Sequence, residues 1–366
     1  SSPGRSSFHQ EVVGSCPGVI SAVRLQLLTV ATAPGHFGRF ERFVAATMSG
    51  ITSSTSTTPR PHHTPTPRHN ERKRIFGMTD ARTLGDENLR RCPVSHDGSA
   101  WNVWGNAEAR LVAEDPESFS SHVSRHLNVP NGMDGDEHRR FRAVIDRYLS
   151  DGAVLPLYPS FESIALKIYG SVGASFDANE FGSLVAVQCQ RHWLGWDASY
   201  EQELLNWITE NQNATRSGDR ERTAAAAEHF TDIIHRIVAD HEGHNGEDPT
   251  CRLMRDTVEE NGVRRRLTMA EIVSILRNWT AGDLGSIADS IGILAHYLAT
   301  HPDLFDTLRG YDASSNTRAL DLALDEILRI DDPFLSNRRM TTRAVTVAGH
   351  DIPEGERVFI HWTAAN

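Results

Sequence analysis

One long helical pattern sets the scale of the fold that this sequence can adopt. It begins at a capping box, Thr268-Met-Ala-Glu271, in which the threonine hydroxyl accepts a free backbone N–H and the glutamate reaches back to the cap. The pattern continues to Thr300, and His301-Pro302 then begins another helix with proline in its favoured first turn. A helix from Thr268 to Thr300 is about 50 Å long. We therefore expect it to cross one large core.

Patterns on either side of this helix predict an α+β fold that is mostly helical. Apolar residues at helical spacing lie in residues 136–149, and residues 201–208 and 223–240 repeat the pattern. After Ile330, a Pro ends the helical region, and short alternating segments separated by glycine turns predict strands up to residue 360. The predicted order is a long helical region followed by a small sheet. The 136–149 stripe consists of Phe141, Val144, Ile145 and Tyr148.

Composition excludes several classes of protein. The chain of 366 residues has 37 basic and 48 acidic side chains and a formal charge of −11, so we expect no general attraction to nucleic acid or to anionic membranes. Four cysteines do not make a disulfide scaffold. The apolar stretch from Val19 to Ala33 is too short and too polar to span a bilayer. We expect no membrane span and, by default, a cytoplasmic location.

The first 75 residues differ from the rest of the chain. Residues 49–67 are a Ser/Thr/Pro run, with too little apolar surface to offset the entropy of ordering. We predict a disordered tail over residues 1–75 and one domain over residues 76–366. The basic residues between 60 and 74 are interpreted as part of a solvated linker, and a polyanion-binding or targeting tail is the alternative. Met48 and Met78 are alternative start residues.

Two glycines interrupt the long helix, within Ala281-Gly-Asp-Leu-Gly-Ser286. Each costs about 1 kcal/mol relative to alanine in a helix interior. Their presence beside an acid and a hydroxyl indicates either that something packs flat against the backbone or that the helix opens to bind water. Close packing of another helix is an equal alternative. Asp283 and Ser286 are the side chains here that could take part in chemistry.

Glu326 and Arg329 form a pair three residues apart on a predicted helix. Exposed pairs of this kind contribute only a few tenths of a kcal/mol. Leucines and isoleucines surround this pair in the sequence, so we expect it to be partly buried.

The order of these segments resembles the cytochrome P-450 family, the haem-thiolate monooxygenases, in its soluble bacterial-type branch. The resemblance runs from about Arg91 to Asn366 and includes Cys92-Pro93-Val94. It implies a predominantly helical cytochrome P-450 fold with a small β-sheet, and haem b as cofactor. It also implies insertion of one oxygen atom from O2 into a small apolar organic substrate, with electrons from a ferredoxin or flavin-type donor. The segments that carry it are the charged helix 137–142, the Ala281–Ser286 segment, His301-Pro302, Glu326–Arg329, Asn337-Arg338-Arg339 and the Gly-x-x-Ile-Pro-x-Gly hairpin from Gly349.

The resemblance also implies the haem-binding residues. An early His and Arg that hold one propionate match His138 and Arg142, one turn apart on a helix. An Arg before the small sheet that contacts the other propionate matches Arg339, with Arg338 as the neighbouring alternative. Ala281 and Gly282 match the haem-facing start of the long-helix motif. Glu326 and Arg329 match the family's structural ion pair.

The long helix departs from the family's acid–alcohol motif. Counted from Ala281-Gly282, the acid and alcohol positions hold Leu284 and Gly285; counted back from His301-Pro302, they hold Gly285 and Ser286. We favour Ser286 as the proton-relaying alcohol because a hydroxyl relays protons and glycine does not. Asp283 is then the nearest acid, offset from the usual position. The alternative is a serine bonded to its own backbone.

The family's iron ligand is a cysteine in a Phe-x-x-Gly-x-x-x-Cys-x-Gly loop. None of Cys16, Cys92, Cys189 and Cys251 lies in such a loop. We expect the ligand beyond Asn366, no iron ligand within this chain, and an inactive fragment. The alternatives are a truncated, non-catalytic helical protein with weak or no haem binding, and a helical polyanion-binding module that uses residues 60–74. The segment His241-Glu-Gly-His244 lacks one residue of the zinc spacing His-Glu-x-x-His, and we expect it at the surface.

Overall fold

The computed structural model describes residues 81–172, 177–313 and 317–366. The tail predicted for residues 1–75, and Met48 and Met78, lie outside the described residues. The helices are α1 (Ala81–Leu89), α2 (Asn106–Glu114), α3 (Gly135–Leu149), α4 (Asp151–Val154), α5 (Tyr158–Ser171), α6 (Ala178–Leu194), α7 (Glu201–Ser217), α8 (Arg220–Asp240), α9 (Pro249–Arg255), α10 (Met269–Thr300), α11 (Pro302–Ala313), α12 (Thr317–Ile330) and α13 (Trp362–Ala365). The strands are β1 (Val94–His96), β2 (Trp101–Val103), β3 (Phe119–Ser120), β4 (Thr257–Glu260), β5 (Val263–Arg266), β6 (Ser336–Thr341), β7 (Val345–Val347), β8 (His350–Ile352) and β9 (Arg357–His361).

Helix α10 is the central element, and its predicted cap is confirmed. The Thr268 hydroxyl accepts a hydrogen bond from the Glu271 backbone N–H at 3.2 Å, and the Glu271 carboxylate accepts one from the Thr268 N–H at 2.7 Å. The guanidinium of Arg265 donates to both oxygens of the same carboxylate, at 2.6 and 2.8 Å. The start of the longest helix is therefore held by a capping box reinforced with a bidentate ion pair.

Helix α6 packs more extensively on α10 than any other described element. A Cβ atom at Gly182 would lie 2.8 Å from the backbone oxygen of Ala288, so only glycine allows this approach. The rings of Trp193 and Trp279 continue the contact, with centroids 5.3 Å apart. Close helix packing on α10 thus depends on a glycine of its neighbour.

The other predicted helices are present. Helix α3 buries the whole predicted stripe, and α7 and α8 extend the patterns seen at residues 201–208 and 223–240. Helix α11 begins at Pro302, as predicted. No helix of the described residues is both long and apolar enough to cross a membrane.

The main sheet joins early and late parts of the chain. Its five strands lie in the order β1-β2-β9-β6-β3, with β9 parallel to β2 and antiparallel to β6. Strands β6 to β9 fall where a late sheet was predicted, but β1, β2, β3 and the hairpin of β4 and β5 were not predicted. Residues 362–365, which follow the last predicted strand, form the helical turn α13.

Candidate functional site

Helix α10 is buried on most sides but has one open face. Ala281, Gly282, Gly285 and Asp289 are exposed or half-buried there, at spacings of three and four residues that place them on one side of the helix. A Cβ atom at Gly282 or Gly285 would meet nothing within 4 Å. Among the described residues no other helix packs against these glycines, which was the equal alternative, and α10 stays helical through this segment. They form a flat strip of backbone without side chains, which we call the glycine strip (Ala281, Gly282, Gly285).

Asp289 continues the open face one turn beyond the glycine strip. Its carboxyl group is accessible, yet enough protein surrounds it that burial raises its pKa, partly opposed by the positive charge of Arg216. Sequence analysis missed this acid. Its spacing of four residues from Gly285 is the signal that could have found it.

The predicted catalytic pair lies off the open face. Asp283 is 2% exposed, and the Gln190 side-chain amide, on α6, donates to its carboxylate at 3.3 Å. Ser286 is 5% exposed, and its hydroxyl donates to the backbone oxygen of Asp283 at 3.4 Å. The structure thus contains the local backbone bond that was the alternative for Ser286. The catalytic role of both residues stays a prediction.

Two of the three predicted propionate ligands lie within electrostatic range of one carboxylate, that of Asp134. His138 and Arg142 are neighbours on α3, and the pKa of His138 is lowered by burial and by the Arg142 charge. Burial also lowers the pKa of Arg339, on β6. The Asp134 carboxylate opposes the shift of the pKa in both His138 and Arg339, so both lie within electrostatic range of it. Arg338, the alternative, is exposed.

Asp134 and Arg142 already have protein partners. The carboxylate of Asp134 accepts from the Ser120 hydroxyl at 2.5 Å and from the Ser121 N–H at 3.0 Å. Arg142 is paired with Asp146 at 2.6 Å. His138 and Arg339 are therefore the more available hydrogen-bond donors of the three.

The segment before α3 is fixed to α10. The backbone N–H of Val129 donates to the Ser274 hydroxyl at 2.8 Å, and the Asn278 side chain donates to the Val129 oxygen at 2.6 Å. Asn278 lies one turn before Ala281. These bonds position the start of α3, with His138, relative to the beginning of the glycine strip.

The Glu326–Arg329 pair is present but exposed. Its charged atoms are 2.6 Å apart, and the side chains keep 56% and 45% of their accessible surface. The prediction of partial burial is wrong, because Leu324, Ile327 and Leu328 occupy the buried face of α12 and the pair occupies the other.

A basic groove of about 750 Å³ lies between α3 and the β4–β5 hairpin. Four arginines and two carboxylates contribute to its lining. One arginine, Arg147, is 3.2 Å from Asp256, and Arg139 is paired with Asp136. The charged lining residues are Asp136, Arg139, Arg140, Arg147, Glu259 and Arg264, and we call this the arginine groove.

The described cysteines are all free and lie in separate places. Cys92 is 3.3 Å from the Nε2 atom of His350. Cys189 is buried within α6, and burial raises its pKa to about 12. Cys251 is buried in α9.

Comparison with solved structures gives the class of fold. The open form of cytochrome P450 EryK from S. erythraea matches with a TM-score of 0.67 and 22% identity, covering 78% of this chain and 74% of that one. Cytochrome P450 TbtJ1 matches with a TM-score of 0.66 and 24% identity, covering 78% and 75%. The fold is therefore the predominantly helical α+β fold of the cytochromes P450, as predicted.

Sequence relatives agree with the fold. Probable cytochrome P450 127A1 of Sinorhizobium fredii is 26% identical over 285 residues, 74% of this chain and 66% of that protein. The 6-deoxyerythronolide B hydroxylase of Saccharopolyspora erythraea is 26% identical over 254 residues, 69% and 60%. Cyclomarin C epoxidase of Salinispora arenicola is 24% identical over 288 residues, 73% and 70%. No family model matches the chain. In both sequence and fold the chain is similar to cytochromes P450 of the bacterial type, and it spans about two thirds of the length of these relatives.

Haem b is the cofactor of this family. The residues present fit it on two counts. The glycine strip leaves room for a flat ring against α10, and His138 and Arg339 are hydrogen-bond donors in partly buried positions, where a carboxylate partner would stabilise the charged form that burial disfavours.

Proposed function

We propose that this protein is a haem-dependent monooxygenase that inserts one oxygen atom from O2 into a small apolar organic substrate. The glycine strip on the buried central helix carries this proposal, because a helix interior without side chains is costly unless something planar uses the space. The names of two relatives, 6-deoxyerythronolide B hydroxylase and cyclomarin C epoxidase, support oxygen insertion into organic molecules.

Two sets of residues would hold the cofactor. Gly282 and Gly285 would leave space for the ring, and His138, Arg142 and Arg339 would donate hydrogen bonds to its two carboxylates. When bound, haem b supplies the oxygen chemistry, and the protein supplies orientation and electrostatics. Asp289, at the end of the open face, holds a proton more readily than an ordinary aspartate because its pKa is raised. Ser286 and Asp283 remain the other candidates for proton delivery.

A ferredoxin or flavin-type donor is the proposed source of electrons, and the arginine groove is its proposed docking place. Acidic donors are attracted by a local excess of positive charge, and such steering raises association rates. Neither Arg140 nor Arg264 forms an ion pair with another described residue, which leaves their charge for a partner.

The glycine strip can be tested with one bulky substitution. In Gly282→Leu the new side chain enters the space assigned to the ring, so we expect haem to bind at least about 10-fold more weakly, a loss of about 1.4 kcal/mol. Titration of the haem-free chain, followed by quenching of tryptophan fluorescence, measures the affinity. Circular dichroism checks that the helices remain.

Gly170→Leu is the matched control, because Gly170 is also a helical glycine whose Cβ would meet nothing within 4 Å. It should bind haem as the unchanged chain does. Equal affinity in Gly282→Leu and Gly170→Leu would remove the support for the strip. Absence of saturable haem binding in the unchanged chain would favour the alternative, a non-catalytic helical protein with weak or no haem binding.

A further inference from the structure

Three potential metal ligands meet far from the glycine strip in sequence, at the junction of α6, α8 and α9. Among the described residues, His241, Asp248 and Cys251 each offer one ligand atom, and these atoms all lie within 4.8 Å of one another. His241 follows the last turn of α8, Asp248 is the N-cap of α9, and Cys251 lies in the first turn of α9. The expected surface position of residues 241–244 holds for His244 but not for His241, whose side chain is 11% exposed.

The Nε2 atom of the His241 ring faces two acceptors, the Gly195 oxygen and the Asp248 carboxylate. Its Nδ1 atom is 2.7 Å from the backbone oxygen of Ile237, which makes Nδ1 the donor. Its Nε2 atom then lies 3.2 Å from the Gly195 oxygen and 3.9 Å from the carboxylate of Asp248. In the neutral ring this places a lone pair opposite two other acceptors. A positive charge between them, either a proton or a metal ion, resolves the contact.

Two glycines shape the surroundings of this cluster. Gly195 has φ +77°, and a Cβ there would lie 2.5 Å from the Cβ of Asp248. A Cβ at Gly246 would collide with the Asp248 carboxylate and lie 3.1 Å from the Cys251 sulfur. The backbone therefore wraps closely around the acid and the thiol.

We propose that His241, Asp248 and Cys251 form a structural zinc site that fastens the end of α8 and the start of α9 to each other. One imidazole nitrogen, one thiolate and one carboxylate are the ligand types that Zn²⁺ takes, and water or His244 completes four-coordination on the exposed side. In tetrahedral zinc sites the ligand atoms are roughly 3.3–3.8 Å apart. The three ligand atoms here would therefore move about 1 Å closer to one another on binding the ion. The thiol proton leaves to solvent as the Zn–S bond forms.

Without a metal ion, the surroundings of Cys251 oppose loss of the thiol proton. Burial and the Asp248 carboxylate raise the pKa of the Cys251 thiol, and the nearby Arg255, whose guanidinium donates to the Gly246 oxygen at 2.8 Å, opposes them. A divalent ion would offset the negative charge that the thiolate and Asp248 bring together.

The test is zinc binding by the full chain after dialysis against a chelator. We expect one Zn²⁺ per chain, release of one proton, and a rise in melting temperature of about 3 °C or more at saturation. Co²⁺ in place of Zn²⁺ should give a sulfur-to-cobalt charge-transfer band. Asp248→Asn keeps the N-cap, since asparagine caps as well as aspartate, and should weaken zinc at least about 100-fold, as should Cys251→Ser.

Cys92→Ser and His235→Gln are the controls, since Cys92 lies beside His350 and His235 is exposed on α8. Both should bind zinc as the unchanged chain does. No stoichiometric zinc, or equal affinity in Asp248→Asn and the controls, would overturn the proposal. Because none of these measurements uses haem, their outcome is separate from that of the proposed function.

Discussion

His361 is a residue whose charge state is set by its neighbours. Its ring stacks on Trp104, with centroids 3.9 Å apart and planes 11° from parallel, and its Nε2 atom lies 2.8 Å from the side-chain oxygen of Asn102. Nε2–H donates to that oxygen. Burial lowers the pKa of His361 to about 4, with Asp97 opposing the shift. The folded protein therefore holds this histidine neutral.

This shift predicts a loss of stability in mild acid. Between pH 6.5 and about 4 the unfolded chain binds the proton and the folded chain does not, so the free energy of unfolding falls as pH falls through this range. The full shift corresponds to at most about 3 kcal/mol, less after solvent screening of a half-buried ring. Urea unfolding measures the free energy of unfolding at pH 7 and at pH 4.5. The difference between the two values should be smaller for His361→Gln, which keeps a donor for Asn102, than for the unchanged chain. His235→Gln should leave the difference unchanged; an equal difference in all three chains would contradict the prediction.

Single residues were predicted from sequence where a spacing rule applied. His138 and Arg142 stand one turn apart because helix periodicity puts them there, and both keep that relation in the structure. Asp289, His361 and the cluster around His241 were missed, because partial burial and approach across the chain depend on tertiary packing. No local sequence pattern predicts partial burial or contacts between distant parts of the chain.

Glycines in helices act in opposite ways in α6 and α10. Gly182→Ala would place a methyl group 2.8 Å from the Ala288 oxygen, so we expect α6 and α10 to be forced apart and the free energy of unfolding to fall by about 1–3 kcal/mol. Urea unfolding measures the change. Gly170→Ala, with open space around its Cβ, should instead be neutral or up to about 1 kcal/mol more stable. A Gly182→Ala chain as stable as Gly170→Ala would contradict the assigned contact.

Long helices were predictable because their signal repeats over several turns. The capping box of α10 and the apolar stripe of α3 appear in the structure as predicted. Strands β1, β2 and β3 have only two or three residues each, too few for an alternating pattern to be recognised. The β4–β5 hairpin was missed although its turn residues, Asn261 and Gly262, both have positive φ and form a known hairpin signal.

Charge on the whole molecule is uneven. The formal charge is −11, yet the arginine groove has twice as many arginines as carboxylates in its lining. A local positive patch on a negative protein orients an acidic partner more sharply than uniform charge would.

This contrast predicts how an electron donor binds. Arg140→Glu should weaken binding of an acidic ferredoxin at least about 10-fold at low salt, and the difference should shrink as ionic strength rises. Surface plasmon resonance across a salt series measures both effects. Arg222→Glu, on the exposed surface of α8 outside the groove, is the matched control. Equal losses in the two variants would indicate a general charge effect and contradict docking at the groove.

The position of β9 has a consequence for how this molecule assembles. Strand β9 is the central strand and lies between β2 and β6. Residues some 250 positions apart must therefore pair before the five-stranded sheet can form. Such pairings have high contact order and form slowly, whereas the contacts within and between neighbouring helices are local. During synthesis, α3 to α10 can fold together on the ribosome while β2, which pairs with β1 on one side, still lacks β9 on the other. Until β9 emerges, the exposed edge of β2 is the part of the nascent chain most open to wrong pairing and to chaperone capture.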